Sequence, residues 1–200
     1  MNKILVTYAT NSGSTAEVAK SIMQEMQKSG AQVELLPIGE VRELADYSAV
    51  VLGGPMILGW HRSARRFLHT HKKALAKMPL AVFVTCMSLT KTGETSLQGV
   101  PVSVDEALPK PPQKAGRLSL KERYSLISNY LRPILQACPG KPVSVGIFGG
   151  QLNFSHMQWW AMIFVILILQ AQAGDRRNWQ AIRGWADGLP ALFNATSTER

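Results

Sequence analysis

The chain is poor in cysteine and shows no pattern that uses it. Cys86 and Cys138 are the two cysteines in 200 residues, and they form no Cys-x-x-Cys pair. This scarcity argues against a disulfide framework and against a structural zinc site, and it fits a reduced cytoplasmic setting. Internal repeats and low-complexity segments are also missing.

Long hydrophobic runs are missing as well. The longest apolar block, WWAMIFVILIL at residues 159–169, is 11 residues long, whereas a helix that spans a bilayer needs about 20. The N-terminal MNKILVTYAT is too short in its apolar part for a signal peptide and predicts a strand. We therefore expect a cytoplasmic protein without a membrane-spanning helix.

Acidic residues are scarce relative to basic ones. The chain has 13 acidic and 22 basic residues, which gives a net charge of +9. Such a balance favours an anionic partner, which could be nucleic acid, a membrane surface or a polyanionic substrate, although a solvated basic surface is the alternative. We expect no nucleic-acid partner.

Apolar strands alternate with helical patterns along the chain. Five strands are predicted, at residues 3–8, 32–38, 48–54, 80–86 and 142–150. The spacings Ser14 to Glu17 and Ser119 to Glu122 predict capping boxes that open two helices, and further helices are predicted at 61–77 and 175–193. This alternation predicts an α/β fold with a parallel, doubly wound sheet and helices on both faces. Ligands of such sheets bind at the carboxyl ends of the strands.

Two segments lie outside this simple alternation in the single domain expected over residues 1–200. Residues 90–117 are rich in proline, glycine, lysine and threonine and predict a long loop inserted after the fourth strand. Residues 156–172, after the fifth strand, predict an extra apolar helix. Its apolar part, 157–169, has to be buried in the core, in a homo-oligomer interface or against a membrane surface.

The first strand is followed by a loop of hydroxyl, amide and glycine residues without any Lys or Arg: Thr10, Asn11, Ser12, Gly13, Ser14 and Thr15. This loop is neither a Gly-x-Gly-x-x-Gly fingerprint nor a P-loop. Its side-chain donors and the first N–H groups of a helix suit a phosphate, even without a cation. An ordinary turn with a good helix cap is the alternative.

The same loop resembles the phosphate-binding loop of flavodoxins, Ser/Thr-x-Thr/Ser-Gly-x-Thr, which holds the phosphate of FMN. The resemblance implies a flavodoxin-like sheet of five parallel strands in the order 2-1-3-4-5. The segments VVLGGPMILGWHRSARRFL and QWWAMIFVILIL are similar to the flavodoxin-like protoporphyrinogen oxidase family. That family passes electrons from protoporphyrinogen through FMN to a quinone, so the resemblance implies a porphyrin-like substrate. The insertion at 90–117 is a departure from this family.

The resemblance also implies two loops that contact the flavin ring. The first follows the third strand and consists of Pro55, Met56, Ile57, Leu58, Gly59 and Trp60, of which Met56, Leu58 and Trp60 are candidates for apolar walls. The second follows the fourth strand and consists of Thr85, Cys86, Met87 and Ser88. This second loop has no aromatic residue to stack on the ring, which leaves Trp60 or the insertion to supply one.

Other polar residues are harder to assign. Cys86 is expected to be a small buried residue, and His69 and His71 a helix surface with one half-buried ring, so no metal site is predicted. His61 lies beside the first ring loop and is a candidate donor. Arg62, Arg65 and Arg66 could pair with substrate carboxylates or form a solvated helix face.

An FMN-dependent oxidoreductase that resembles quinone-linked protoporphyrinogen oxidase is the leading functional hypothesis. The alternative is an electron-transfer protein that docks on a redox-partner protein and has no substrate of its own. A scaffold that has lost FMN is the third. No catalytic acid or base is predicted, and peripheral contact with the inner face of a membrane is consistent with the charge.

Overall fold

A computed structural model describes residues 3–57, 59–91, 93–114, 117–152 and 174–198. The strands are β1 (Lys3–Tyr8), β2 (Gln32–Pro37), β3 (Tyr47–Pro55), β4 (Leu80–Cys86), β5 (Leu89–Thr90), β6 (Ser96–Leu97), β7 (Val100–Val104), β8 (Pro109–Lys110), β9 (Ser144–Gly149), β10 (Gln151–Leu152) and β11 (Gly174–Asp175). The helices are α1 (Ser14–Lys28), α2 (Arg62–Thr70), α3 (Lys72–Leu75), α4 (Leu120–Tyr124), α5 (Ile127–Ala137) and α6 (Trp179–Thr198).

The predicted α/β flavodoxin-like class is confirmed, with a wider sheet than expected. The five predicted strands correspond to β1, β2, β3, β4 and β9, and they lie in the expected order β2-β1-β3-β4-β9. All four pairings within this group are parallel. The sheet then continues through β7 and β6, which makes seven strands.

The two additional strands correct the prediction of a long loop at 90–117. β7 pairs in parallel with β9, with Val102 opposite Val145, and β6 forms a hairpin with β7. Asp105 follows β7 and is buried, where its Oδ1 accepts hydrogen bonds from the Ala107 N–H (3.0 Å) and from Asn178 Nδ2 (2.9 Å). Asn178 in turn caps the start of α6, so the insertion is built into the fold.

Three predicted helices have different bounds in the structure. The helix expected at 61–77 is divided into α2 and α3 at His71. The helix that opens at Ser119 has the predicted capping box, but it stops at Tyr124 and resumes as α5. The last helix begins at Trp179 because Asp175, where the prediction started it, pairs with Gln151 in the hairpin of β10 and β11.

The capping box predicted at Ser14 and Glu17 is not formed. Gly13 takes the N-cap position with a φ of 89°, a left-handed conformation that favours glycine, and Ser14 is already helical. The Glu17 carboxylate instead accepts a hydrogen bond from Arg177 Nη1 at 2.6 Å. Because the helix begins one residue earlier than predicted, Glu17 is not at the third helical position that a capping box requires.

Alternate residues of the central strands point to opposite faces and form two hydrophobic cores. Leu5, Leu52 and Val82 pack on one face against α2 and α5. Val6, Val51 and Phe83 pack on the other face against α1 and α6. Because both faces are covered, the strands are apolar almost throughout, which is typical of parallel sheets.

The apolar helix expected at 156–172 falls on 153–173, which lie outside the described residues. Its assignment to core, interface or membrane therefore stays a prediction. Among the helices that the structure describes, none is both long enough and apolar enough to cross a membrane.

We predict that Phe83→Ala lowers the free energy of unfolding by about 3–5 kcal/mol. Phe83 is fully buried, and its ring occupies the space that a side chain at position 53 would need, where the sequence has Gly53. The variant therefore leaves a large cavity beneath the middle of the sheet. Chemical denaturation would measure the loss, with Leu192→Ala as the control, because Leu192 is 42% exposed. Equal effects of the two changes would contradict this packing.

Candidate FMN site at the carboxyl edge of the sheet

The three predicted cofactor loops meet at one edge of the sheet. Parallel register places Tyr8 opposite Gly53 and Pro55 opposite Thr85, so β1, β3 and β4 end at the same level. The Ala9 N–H donates to the Gly53 carbonyl (2.9 Å), and the Met56 N–H donates to the Thr85 carbonyl (2.8 Å). The described residues of the segments 10–15, 55–60 and 85–88 therefore lie at one edge of the sheet.

The first loop presents hydrogen-bond donors to the solvent. The Gly13 N–H donates to Thr10 Oγ1 at 2.9 Å, which closes the turn, and Asn11 and Ser12 are exposed at its tip. The N–H groups of the first turn of α1 follow directly, and such groups have no carbonyl one turn earlier to accept them. This donor set fits a phosphate monoester, because several amides and hydroxyls can share its oxygens.

Two of the predicted phosphate ligands are turned inward. Ser14 and Thr15 are buried, and Thr15 Oγ1 shares a buried hydrogen bond of 3.0 Å with Thr85 Oγ1. Thr15 and Thr85 therefore lock the start of α1 to the end of β4. Exposed donors are supplied by Asn11, Ser12 and the backbone of the turn.

The loop after β3 is a tight turn with an exposed apolar tip. Met56 and Trp60 form a backbone bridge, and the Ile57 N–H donates to the Gly59 carbonyl at 3.1 Å. Both Met56 and Trp60 are buried in the core, whereas Ile57 is 43% exposed. Ile57 thus presents its side chain at this edge in place of the Met56 and Trp60 walls that we expected. Leu58 lies outside the described residues.

The loop after β4 is fixed from two sides. Tyr130 Oη donates to the Ser88 carbonyl at 3.0 Å, and Arg176 Nη1 donates to the Met87 carbonyl at 3.0 Å. No local sequence signal predicts either contact, because both partners are distant along the chain. Burial raises the pKa of the Cys86 thiol to about 12. The thiol therefore stays protonated near neutral pH and is no nucleophile.

His61 connects the loop at 10–15 to α2, the helix that follows the loop at 55–60. Its Nδ1 accepts a hydrogen bond from the Ser63 N–H (3.2 Å), which caps α2. That role fixes the tautomer, so the Nε2–H donates to Asn11 Oδ1 (3.1 Å). Burial lowers the pKa of His61. The neutral ring thus ties the exposed tip of the phosphate loop to α2.

The segment from α2 to α3 carries a strong positive charge. Six cations and no acidic residue occur between positions 61 and 77: Arg62, Arg65, Arg66, Lys72, Lys73 and Lys77. All six are exposed, and none forms an ion pair within the described part of the chain. Because α2 begins just after the loop at 55–60, the three arginines are the cations of this group nearest to the site. His71 is half-buried, with its ring 4.5 Å from that of Phe67.

Replacement of Gly13 by alanine should lower the free energy of unfolding by about 1–2 kcal/mol. The space around Gly13 is open, so the cost comes from the positive φ of 89° alone. Gly13→Asn should cost less, because asparagine tolerates this conformation. Denaturant titrations of both variants test the cause, and an alanine variant as stable as the asparagine variant would refute it.

His61 should make the protein less stable in acid. Its pKa lies below the usual 6.5, so the folded state prefers the neutral ring. The unfolded state therefore binds the proton first as the pH falls below 6.5, and the folded state loses stability there. Unfolding free energies at about pH 7.5 and pH 5.5 should fall more for the wild type than for His61→Ala. His69→Ala, which changes an exposed residue of the same helix, should follow the wild type; a His61→Ala profile identical to both would argue against this assignment.

Comparison with known proteins agrees with this architecture. A protein named protoporphyrinogen IX dehydrogenase [quinone], from Leishmania major, is 22% identical over 203 residues, which cover 95% of this chain and 75% of that protein. A solved mutant of flavodoxin from Pseudomonas aeruginosa has a TM-score of 0.50 at 11% identity and covers 96% of this chain and 99% of that one. The flavodiiron protein from Giardia intestinalis has a TM-score of 0.51 at 11% identity over 98% of this chain, which spans only 37% of that protein.

The family assignment rests on a match along most of the sequence. Residues 5–178 match the flavodoxin domain. This match includes all three loops at the carboxyl edge of the sheet. It confirms FMN as the cofactor that the first loop predicts, whereas the individual residues that hold FMN stay a prediction. The chain belongs to the flavodoxin domain family.

Proposed function

We propose that this protein is an FMN-dependent oxidoreductase that oxidises a protoporphyrinogen-like substrate and passes the electrons to a quinone. The observation that carries the proposal is the similarity to a protoporphyrinogen IX dehydrogenase [quinone] along 95% of the chain. The six exposed cations between positions 61 and 77, here called the basic face, support the proposal independently, because a porphyrinogen carries carboxylates.

In this proposal, different residues at the edge of the sheet bind different parts of FMN. The phosphate of FMN would be held by the exposed donors of residues 10–15 and the first amides of α1. The ring would lie between the loops at 55–60 and 85–88. The chemistry that bound FMN supplies is uptake of a hydride and a proton from the substrate, followed by transfer of two electrons and two protons to a quinone to give a quinol. Accordingly, the protein positions the reactants, and no acid–base residue is assigned.

The basic face would orient the substrate. Arg62, Arg65 and Arg66 follow the ring loop, and guanidinium groups bind carboxylates through paired hydrogen bonds. The same charges would favour an anionic membrane surface, where quinones are dissolved. Peripheral membrane contact is therefore part of the proposal, with residues 157–169 as a second candidate for that contact.

Electron transfer without a substrate of its own is the second candidate. It is favoured by the match of residues 5–178 to the flavodoxin domain. The charge of this chain argues against a free carrier of the usual kind, because such carriers dock through acidic surfaces, whereas this chain has a net charge of +9. A carrier would need a redox-partner protein with an acidic docking surface.

Anaerobic mixing experiments would distinguish the two functions. Purified protein should be yellow, its flavin absorbance should bleach on addition of protoporphyrinogen, and the colour should return with a menaquinone analogue. A flavin that neither bleaches with the porphyrinogen nor reoxidises with the quinone, but exchanges electrons rapidly with a reductase protein, would establish the carrier instead. Colourless protein that FMN cannot reconstitute would contradict both.

Substrate oxidation should depend on salt if the arginines bind its carboxylates. Replacing Arg62, Arg65 and Arg66 together by glutamine should raise KM by about three- to tenfold at low salt, because each exposed ion pair contributes up to about 1 kcal/mol. Raising the ionic strength should remove most of this difference. The matched control replaces Lys72, Lys73 and Lys77, which are further along the chain from the ring loop. If the lysine variant matched the arginine variant, the effect would come from overall charge and not from substrate contacts.

A further inference from the structure

The inserted segment folds back onto the loop after β4. Residues 89–90 of β5 pair in parallel with residues 109–110 of β8, so the chain returns to the point where the insertion began. The carboxylate of Glu122 then accepts hydrogen bonds from the Gln113 N–H (2.6 Å) and the Ser119 N–H (2.7 Å). Thr90 Oγ1 donates to the Glu122 carbonyl at 2.8 Å. Helix α4 is therefore held beside the loop at 85–88.

Tyr124 ends this helix and presents its ring at the edge of the site. Tyr124 is 39% exposed, although its ring is held in place from one side. Its support comes from Tyr130, whose ring lies 5.9 Å away at an angle of 75°. Tyr130 is buried and donates to the Ser88 carbonyl at 3.0 Å. Tyr124 thus rests on a residue that is bound to the second ring loop.

The hydroxyl of Tyr124 faces the other ring loop. Burial raises the pKa of Tyr124, and a hydrogen bond from the Gly59 backbone N–H acts in the opposite direction, which places the hydroxyl beside that loop. Ile57, the exposed tip of that loop, is two residues away from Gly59 in sequence. Tyr124 is therefore linked to both loops between which the resemblance places the flavin, to the first through its hydroxyl and to the second through Tyr130.

We propose that Tyr124 is the aromatic wall against which the flavin ring packs, and that the inserted segment holds α4, the helix that carries Tyr124, in place. The proposal rests on FMN binding by the loops at 55–60 and 85–88. An aromatic ring packs well against a flat ring system because both have large apolar faces. It also accounts for the absence of an aromatic residue between Thr85 and Ser88. The insertion at 90–117 would then support the cofactor site by holding α4 in place.

The test is a titration of FMN-free protein with FMN, followed by the quenching of flavin fluorescence. Tyr124→Ala should weaken FMN binding by about tenfold and should raise the emission of the bound flavin, because a phenol quenches it on contact. Tyr124→Phe and Tyr124→Trp retain an aromatic face and should bind FMN within about threefold of the wild type. Leu120→Ala, at an 84% exposed position of the same helix, is the matched control and should match the wild type.

The outcomes separate this proposal from the function on which it rests. Wild-type protein that binds no FMN would overturn the cofactor site itself. Wild-type protein that binds FMN, with Tyr124→Ala unchanged or no weaker than Leu120→Ala, would overturn the role of Tyr124 alone. Should Tyr124→Ala fail to fold by circular dichroism, Tyr124→Leu decides the question, because it keeps the apolar bulk without the aromatic face. Weaker binding by that variant supports the proposal, and wild-type affinity refutes it.

Discussion

The parallel register of β1, β3 and β4 is the constraint on which the rest of the structure depends. It makes three strands end at one level, and two backbone hydrogen bonds, Ala9 to Gly53 and Met56 to Thr85, continue the pairing into the loops. The buried contact between Thr15 and Thr85 then fixes the start of α1 against β4. Because these bonds are shielded from water, the edge is formed in advance for a ligand that bridges all three loops.

Local sequence patterns predicted the five parallel strands of the sheet correctly. The central strands β1, β3, β4 and β9 are buried on both faces, so their apolar runs stand out in the sequence. The loop from Thr10 to Thr15 has a composition that indicates phosphate. The features that the sequence did not predict depend on contacts between residues that are distant in sequence. β7 is a strand because it pairs with β9, which follows it by about 40 residues, and Glu17 pairs with Arg177, which is 160 residues away along the chain. Neither partnership has a signature within a short window.

The side chains that border the flavin site were the least predictable feature. Trp60 is the most conspicuous aromatic residue near the ring loop, yet the tight turn at 56–60 buries it in the core. In the sequence, Tyr124 belongs to the helix that the capping box of Ser119 and Glu122 opens. The helix breaks after Tyr124, and Thr90 and Gln113 of the insertion bond to Glu122 in its last turn. The fold family predicts which loops form the site, whereas tertiary contacts decide which side chains border the flavin.

The central claim is that one edge of the sheet, with loops after β1, β3 and β4, holds FMN. The most direct measurement is an NMR titration of isotopically labelled protein with FMN, which reports on each backbone amide. The account predicts that the largest shifts occur at residues 10–16, 55–60 and 85–88, while amides at the opposite ends of the strands stay unchanged. Saturable shifts confined to any other surface, or no shifts at all, would contradict it.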